Sequence, residues 1–439
     1  MKTHKFPEMT TSIEKFSHDG RGIARINGKT TFIQGALPQE TVVFKYLRRK
    51  RGFDEGITVS VKTPSPHRVE PKCPHFSICG GCSLQHLDSA MQIHEKQALF
   101  LDVLSRIGHC QPETVLPPLL GPVWQYRHKA RLSVRYDEAS SSIMFGFREK
   151  NNPTRIADIK QCPVMHPKVD AQLEPLRHLI GSLDTARMIA QVEVAAGDDD
   201  VALVFRNLSP LSAKDEAKLI TFAQNTGFHI FLQPGGTDTV ALFYPKEAGD
   251  FLVYRLPSEE VTFSFHPTDF IQINAGLNRL MVPHALELLA LKPDDTVMDL
   301  FCGLGNFTLP IAKRCAQVIG VEGSDMMVKR AEMNAALNDI TNVMFFSANL
   351  DNEAVVYMLA QHPVSKLLID PPRVGAVEIV KRIEMINPER IVYVSCNPAT
   401  LARDAGILVN EKGYRMTQAG VMDMFPHTAH VESIALFER

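Results

Sequence analysis

The sequence predicts an α/β protein in three parts: a small N-terminal β-barrel of the oligonucleotide-binding type, a mixed α+β centre, and a C-terminal doubly wound domain. Three observations carry this reading. Residues 8–63 read as short strands punctuated by turns. Residues 67–92 hold three cysteines, and strands and helices follow in irregular order. From about residue 270 strands and helices alternate regularly, the pattern of a parallel sheet covered by helices.

The chain of 439 residues is 45% hydrophobic and 22% charged, an ordinary globular balance with material for several cores. The net charge of -2 points to no partner, but residues 1–70 hold 13 Lys/Arg against 7 Asp/Glu. The run Lys45-Tyr-Leu-Arg48-Arg49-Lys50-Arg51 is the centre of that excess. It suits a polyanion, and it equally suits a solvated hairpin tip. The start, Met1-Lys-Thr-His-Lys-Phe-Pro7, has no apolar core, so no secretory leader is expected. No stretch approaches the ~18 apolar residues of a membrane span. The expected location is the cytoplasm. Eight cysteines do not make a disulfide scaffold in a chain this long; clustered, they point to a metal site or to catalysis.

In the first part, Ile23–Ile26 and Thr30–Ile33 flank Asn27-Gly28-Lys29, a hairpin signal. Strands are expected at Thr41–Tyr46 and Gly56–Lys62, and Pro64-Ser-Pro66 reads as a linker. The three parts are therefore drawn at residues 1–63, 64–268 and 269–439. In the centre, apolar spacing predicts a helix over about 89–107 and another over 211–226, with strands at Ala130–Tyr136 and Val201–Phe205. In the last part a helix over about 276–291 precedes strands at Thr296–Phe301, Gln317–Val321, Val343–Phe346, Lys366–Ile369 and Arg390–Val394. Ligands of such sheets sit at the carboxyl ends of the strands.

The first of these strands runs into Phe301-Cys-Gly303-Leu-Gly305-Asn306-Phe-Thr308. The glycines permit a tight turn and close approach of a ligand. Thr308 stands where a dinucleotide fingerprint has its third glycine, which disfavours phosphate cradling. The second strand ends in Glu322, placed to accept from ribose hydroxyls or simply to face solvent. Asn349, after the third strand, is placed to meet an adenine edge. A ribose and an amino-acid tail together favour S-adenosylmethionine.

Two later strands end in Asp370-Pro-Pro-Arg373 and Ser395-Cys396-Asn397-Pro398. Prolines fix the backbone where each strand stops, presenting Asp370 and Cys396 at the ligand edge. Cys110, Cys302 and Cys315 read as buried small hydrophobes. Cys396, flanked by polar residues, does not. A cysteine beside a methyl donor suits methylation of a pyrimidine carbon, because C5 of a uracil is a poor nucleophile until a thiolate has added at C6. A base must then remove the C5 proton. Glu432, in Pro426-His427-Thr-Ala-His430-Val-Glu432, is the candidate, against a structural acid. His427 and His430 read equally as RNA contacts, pocket helpers or surface residues.

Cys73, Cys79, Cys82 and the distant Cys162 make a four-thiolate set. Spacing alone does not separate zinc, for which His75 offers a further ligand, from an iron–sulfur cluster. In Tyr126–Arg135, strand alternation puts Lys129, Arg131 and Arg135 on one face, suited to phosphates or to water. A target base must be single-stranded or flipped out to reach a cysteine in a pocket.

Four motifs in this order, Gly303-Leu-Gly-Asn-Phe-Thr-Leu-Pro310, Asp370-Pro-Pro-Arg-Val-Gly375, Val394-Ser-Cys-Asn-Pro-Ala-Thr-Leu-Ala-Arg-Asp404 and Asp423-Met-Phe-Pro-His-Thr-Ala-His-Val-Glu432, resemble the RNA uracil-5-methyltransferase family. The resemblance covers the whole chain. It implies a Rossmann-like S-adenosylmethionine-dependent methyltransferase domain, and the N-terminal segment is similar to the TRAM domain, an RNA-binding barrel. It implies Cys396 as nucleophile and Glu432 as base. Gln272, Phe301, Asn306, Glu322, Asn349 and Asp370 match cofactor contacts, with Asp370 also near the target base. It implies a [4Fe-4S] cluster on Cys73, Cys79, Cys82 and Cys162, and since methyl transfer requires no redox step the expected role is structural. The family also places a piece of chain from before the central domain with the catalytic domain, and the helix near 93–121 is the candidate for it.

Arg48, Arg49, Lys50, Arg51, Lys129 and Arg131 are the candidate RNA contacts. The implied substrate is a uridine of 23S ribosomal RNA, acted on by a monomer without an obligate protein partner. The alternatives are transfer RNA or another ribosomal uridine, and, from a different class, a non-catalytic RNA chaperone or assembly factor. The barrel and the cysteine set argue against transfer RNA, and Cys396 with Glu432 argues against a purely structural protein.

Overall fold

The structure, a computed structural model, describes residues 7–439. The reading of the chain start as leaderless, and the first six residues of the expected barrel segment, lie outside the described residues.

Six strands form the first sheet, in the order Met9–Ser12, Thr41–Arg49, Asp54–Thr63, Lys29–Gln34, Gly22–Ile26, Lys15–Phe16. Asn27 and Gly28 both adopt positive φ (51° and 79°), the left-handed pair that a two-residue hairpin needs. The sheet curls around Ile13, Ala24, Ile33, Ala36, Val42 and Phe44. The basic run lies at the tip joining Thr41–Arg49 to Asp54–Thr63.

The centre is a seven-stranded sheet running from Ile156–Asp158 to Ala241–Tyr244, with helices Leu173–Ser182 and Ala213–Thr226. Its strand Lys129–Asp137 alternates as expected: Ala130, Leu132 and Val134 are buried, while Arg131 and Arg135 are exposed.

The last sheet has eight strands, in the order Val343–Ser347, Gln317–Glu322, Thr296–Leu300, Lys366–Ile369, Arg390–Ser395, Glu432–Glu438, Arg415–Met422, Thr114–Val115. The first five are mutually parallel. The purely parallel reading is incomplete, because Glu432–Glu438 pairs antiparallel with both of its neighbours. These two terminal strands lack the helix-separated rhythm that marks parallel strands in a sequence. Sequence order reverses between Thr296–Leu300 and Lys366–Ile369, which opens the ligand crevice there.

The segment expected to accompany this domain is only partly helical. Helix Ser89–Val103 starts on the Asp88 side chain, which accepts from the Met91 N–H. A wider turn, Leu104–Gly108, follows, and then Thr114–Val115 pairs with Gln418 and Ala419. Phe100 and Leu104 are fully buried in the same apolar core as the eight-stranded sheet. Among the described residues no helix is long and apolar enough to cross a membrane.

Candidate active site

Parallel strands end on one edge of their sheet, so Phe301, Glu322, Asp370 and Cys396 emerge together from Thr296–Leu300, Gln317–Glu322, Lys366–Ile369 and Arg390–Ser395. Glu432–Glu438 runs the other way, so its first residue arrives at that same edge. The last pair between the two strands is Ser395 with Ser433. One step further, Cys396 stands opposite Glu432. Opposed residues of an antiparallel pair project to the same face. The Ser433 hydroxyl donates to the Ser395 carbonyl at 3.1 Å and fixes this end of the pairing.

Cys396 is half-buried in the turn from strand to helix Pro398–Asn410, not sealed in a core. Asn397 caps that helix, accepting from the Ala399 N–H at 3.1 Å, and Pro398 fits its first turn. Burial, then the neighbouring carboxylates of Glu432 and Asp370, push the Cys396 thiol up to about 11. Burial raises Asp370 to about 7. Glu432 is raised well above its ordinary value by burial and by Asp370. A thiol and two carboxyl groups thus share one desolvated edge, where both carboxyl groups favour the neutral thiol and Asp370 favours neutral Glu432.

The loop carrying Asp370 is laced to the helix behind Cys396. Asn397 Nδ2 donates to the Arg373 carbonyl at 2.9 Å, and Arg403 Nη2 donates to that of Val374 at 3.0 Å. The buried Asp404 accepts from the Ala376 N–H at 2.9 Å and from the Tyr393 hydroxyl at 2.7 Å. Gly375 has φ +81°, and a Cβ there would meet Asp404 at 2.7 Å, so the loop needs glycine at that point.

In the cofactor loop Phe301, Gly303 and Gly305 all have positive φ (63°, 57° and 97°). Glu322 spans the crevice, accepting from the Gly303 N–H at 3.1 Å and from the Ser324 N–H at 3.0 Å. Asn306 is bound from three sides: it exchanges two hydrogen bonds with Asn278 (2.9 and 3.0 Å), and it accepts from the Tyr254 hydroxyl at 3.0 Å. Its side chain therefore fixes the loop. Gln272 lies beyond Tyr254, in a small cavity that the two share with Asn278 and Arg279. Asn349 is exposed; its Oδ1 accepts from the Asp351 N–H at 3.0 Å.

Asp299 was missed by the sequence reading. It is fully buried beneath the loop and accepts from the Thr308 hydroxyl at 2.5 Å, while its second oxygen has no hydrogen-bond partner among the described residues. Burial, with the nearby Asp370 and Glu322, raises it to about 7. Tyr393 and Asp404 were missed as loop-fixing residues too. Only the Ala-Arg-Asp404 of a motif pointed their way.

The four cysteines line one apolar-walled cavity with Phe76, Phe147 and Val164. Among the described residues no group of three ligating side chains is gathered tightly enough to grip a single metal ion. A cluster of four irons spreads its thiolates more widely than one ion does. Burial raises all four thiols, and three of them are raised further by their neighbours' charge, Cys82 to about 11. Thiolates that repel one another across a shared cavity are a donor set that a multivalent centre would hold together. His75 is not free to be a zinc ligand through Nε2, which accepts from the Lys160 N–H at 3.1 Å. Gly80 is needed at its close approach to the next strand, where a Cβ would meet the Arg148 carbonyl at 2.9 Å.

Of the basic candidates, Arg48 and Arg51 are exposed, and neither makes an ion pair among the described residues. Arg49 lies 3.6 Å from Asp54, and Lys50 3.1 Å from Glu55. Arg131 is exposed beside Glu193 at 3.3 Å. Lys129 donates to the Asp269 carbonyl at 2.5 Å and so ties the central sheet to the segment before Gln272. His427 is 3% exposed and stacked on Trp124 at 3.9 Å, which excludes a surface role.

Known proteins share this architecture. The sequence profile of the tRNA (Uracil-5-)-methyltransferase family matches residues 122–439, and that of the TRAM domain matches residues 3–53. The chain is 60% identical to the 23S rRNA (uracil(1939)-C(5))-methyltransferase RlmD of Legionella pneumophila (strain Lens), over 98% of this chain and 97% of the relative. It is 52% identical to the protein of the same name from Alcanivorax borkumensis, over 98% and 96%. The crystal structure of Pyrococcus abyssi tRNA (uracil-54, C5)-methyltransferase, in complex with S-adenosyl-L-homocysteine, superposes with a TM-score of 0.75 at 25% identity, covering 98% of this chain and 100% of that one. The chain belongs to the tRNA (uracil-5-)-methyltransferase family of RNA uracil-C5 methyltransferases and carries a TRAM domain at its N-terminus.

Proposed function

We propose that this protein transfers a methyl group from S-adenosyl-L-methionine to C5 of a uridine in 23S ribosomal RNA, at the position that the names of its relatives give as uracil 1939. The observation that supports the chemistry is the opposition of Cys396 and Glu432 across two antiparallel strands, with Asp370 beside them. The Cys396 thiolate adds to C6 of the uracil, and C5 of the resulting enolate attacks the methyl carbon of the donor, whose bond to sulfur breaks to leave the neutral thioether S-adenosyl-L-homocysteine. Glu432, as carboxylate, takes the C5 proton; the S–C6 bond breaks, and the thiolate and the C5=C6 double bond are restored.

Phe301, Glu322, Asn349, Asp370 and Gln272 hold the donor in this reading, with Asn306 shaping the loop that receives it. Glu322 has lone pairs left for a ribose, whereas Asn306 acts by fixing the loop. Cys73, Cys79, Cys82 and Cys162 would hold a [4Fe-4S] cluster, which supplies a rigid cross-link between the cysteine turn and the central sheet. Arg48, Arg51 and Arg131 are exposed for phosphate contact, so RNA binding is expected to weaken as salt rises. The enzyme works as a monomer in this reading.

Transfer RNA is the second reading, favoured by the archaeal structure. That structure spans the whole chain, barrel included, so domain composition does not separate the two RNA classes as the sequence argument supposed. The contrast between 60% and 25% identity favours ribosomal RNA. Incubation with labelled donor and either 23S ribosomal RNA or unmodified transfer RNA, followed by mapping of the methylated uridine, tests it. Methylation of 23S RNA alone is the expected result; methylation of transfer RNA alone would reverse the assignment.

A further inference from the structure

The loop between the last two strands, residues 423–431, delivers Glu432 to the site, and it is held by groups from outside its own sheet. Its centre is His427, in the left-handed region at φ +64°. The N–H groups of Ser83 and Leu84 both donate to the His427 carbonyl at 2.9 Å. These two residues directly follow Cys82. The His427 N–H donates to Gln92 Oε1 at 2.8 Å. Gln92 is 1% exposed and lies on helix Ser89–Val103, and its Nε2 donates to the carbonyls of Leu84 (3.0 Å) and Leu87 (2.8 Å). One side chain therefore joins the strand-to-strand loop to the segment that follows the cysteine turn. Tyr126 adds a hydrogen bond to the Pro426 carbonyl at 3.0 Å, and Trp124 covers the His427 ring.

Nothing in this arrangement touches the reacting atoms. All of it bears on where the strand carrying Glu432 begins. Cys396, by contrast, is held by its own helix cap and by the Asp370 loop, and among the described residues Gln92 is hydrogen-bonded to neither. The Ser395–Ser433 pair joins the two strands, and beyond it Cys396 has anchors of its own that do not run through Gln92.

We propose that Gln92 is a positioning residue for proton removal: through His427 it couples the segment after the four-cysteine turn to the placement of Glu432, without affecting addition of Cys396. This rests on the reading of Glu432 as the base. It assigns the cysteine turn a share in the last chemical step, beyond holding the fold.

The test uses full-length Gln92→Leu, which is close in size and lacks every one of these hydrogen bonds, beside Gln92→Glu, which keeps the acceptor for the His427 N–H. With RNA carrying 5-fluorouridine at the target, Gln92→Leu should form the covalent complex at the parent rate. With ordinary uridine, a methylated covalent adduct should accumulate, and kcat should fall about tenfold to a hundredfold, the scale of a misplacement of ~1 Å, with KM for RNA within about twofold of the parent. Gln92→Glu should recover part of the loss. Normal release of product by Gln92→Leu, a rise in KM alone, or loss of the 5-fluorouridine complex would each overturn the proposal. Glu432→Gln is measured in parallel. Turnover by Glu432→Gln at the parent rate would remove the base reading, and this inference with it. Adduct accumulation in Glu432→Gln together with normal release by Gln92→Leu would overturn the inference alone.

Discussion

Glu432 faces Cys396 from the opposing strand, and its charge is one of the reasons the Cys396 thiol holds its proton. Burial is the larger cause, and Asp370 adds to it; only Arg373 opposes them with positive charge. The edge gathers three acidic groups whose ionisation needs a cation. The methyl donor carries one on its sulfonium sulfur. A bound donor should therefore favour the Cys396 thiolate over its level in the free site.

Alkylation of Cys396 by iodoacetamide checks this. With the thiol raised to about 11, the thiolate fraction should grow about tenfold per pH unit from pH 7 to pH 10 in the free enzyme. A positively charged, unreactive analogue of the donor should accelerate alkylation at pH 8 more than the neutral thioether product does. Equal rates with both ligands would exclude the electrostatic account.

Asp299 provides a test of the site's cost in stability. Its carboxyl group titrates near 7 in the folded protein against 3.8 as its ordinary value. Between these values the unfolded chain has lost the proton and the folded protein keeps it, so stability falls as pH rises through that window and levels off above it. Each pH unit of the window is worth about 1.4 kcal/mol. Asp299→Asn should remove this dependence, so the ligand-free variant should be more stable than the parent at pH 8 and less favoured, or equal, at pH 4. Urea unfolding at the two pH values gives the comparison.

The buried pair Lys96–Asp423, at 2.9 Å with both side chains under 5% exposed, fastens helix Ser89–Val103 to the start of the Glu432 loop. Lys96 also donates to the Phe425 carbonyl at 3.0 Å. Lys96→Met should destabilise by about 3–5 kcal/mol, because it leaves a carboxylate buried without its partner. Adding Asp423→Asn should restore much of that loss. Denaturant titration of the single and double variants measures the coupling.

The cysteine set makes a compositional prediction. Protein purified without oxygen should carry about four iron atoms per chain and absorb in the visible, whereas zinc would indicate the other four-thiolate chemistry. Cys162→Ser should lose the iron and the absorbance and should melt lower. Chemical reduction of the intact cluster should leave methylation within about twofold of the untreated enzyme, since methyl transfer moves no net electrons. A large loss on reduction without unfolding would contradict a structural role.

The parallel half of the catalytic sheet was legible because each strand is a short apolar run closed by turn residues, such as Lys366–Ile369 before Asp370-Pro-Pro. The strands Arg415–Met422 and Glu432–Glu438 were not, because no alternation or helix-spaced rhythm announces an antiparallel pair buried on both faces. Cys396 and Asp370 could be singled out from flanking prolines and polar residues. Gln92, Asp299 and Tyr393 could not: their importance lies in contacts such as Gln92 with His427, 335 residues apart, which no local pattern encodes. Lys129 shows the reverse error of pattern reading. It lies on the basic face of its strand, yet its ammonium group serves a carbonyl inside the protein.

The most direct measurement is covalent trapping on 23S ribosomal RNA that carries 5-fluorouridine at the target, with the methyl donor present. Fluorine at C5 cannot leave as a proton, so the S–C6 bond should persist and peptide mapping should place the RNA on Cys396. Cys396→Ala should show neither the complex nor methylation of ordinary RNA, and Glu432→Gln should form its adduct on ordinary RNA without releasing it. Methylation of ordinary RNA by Cys396→Ala at the parent rate would contradict the assignment.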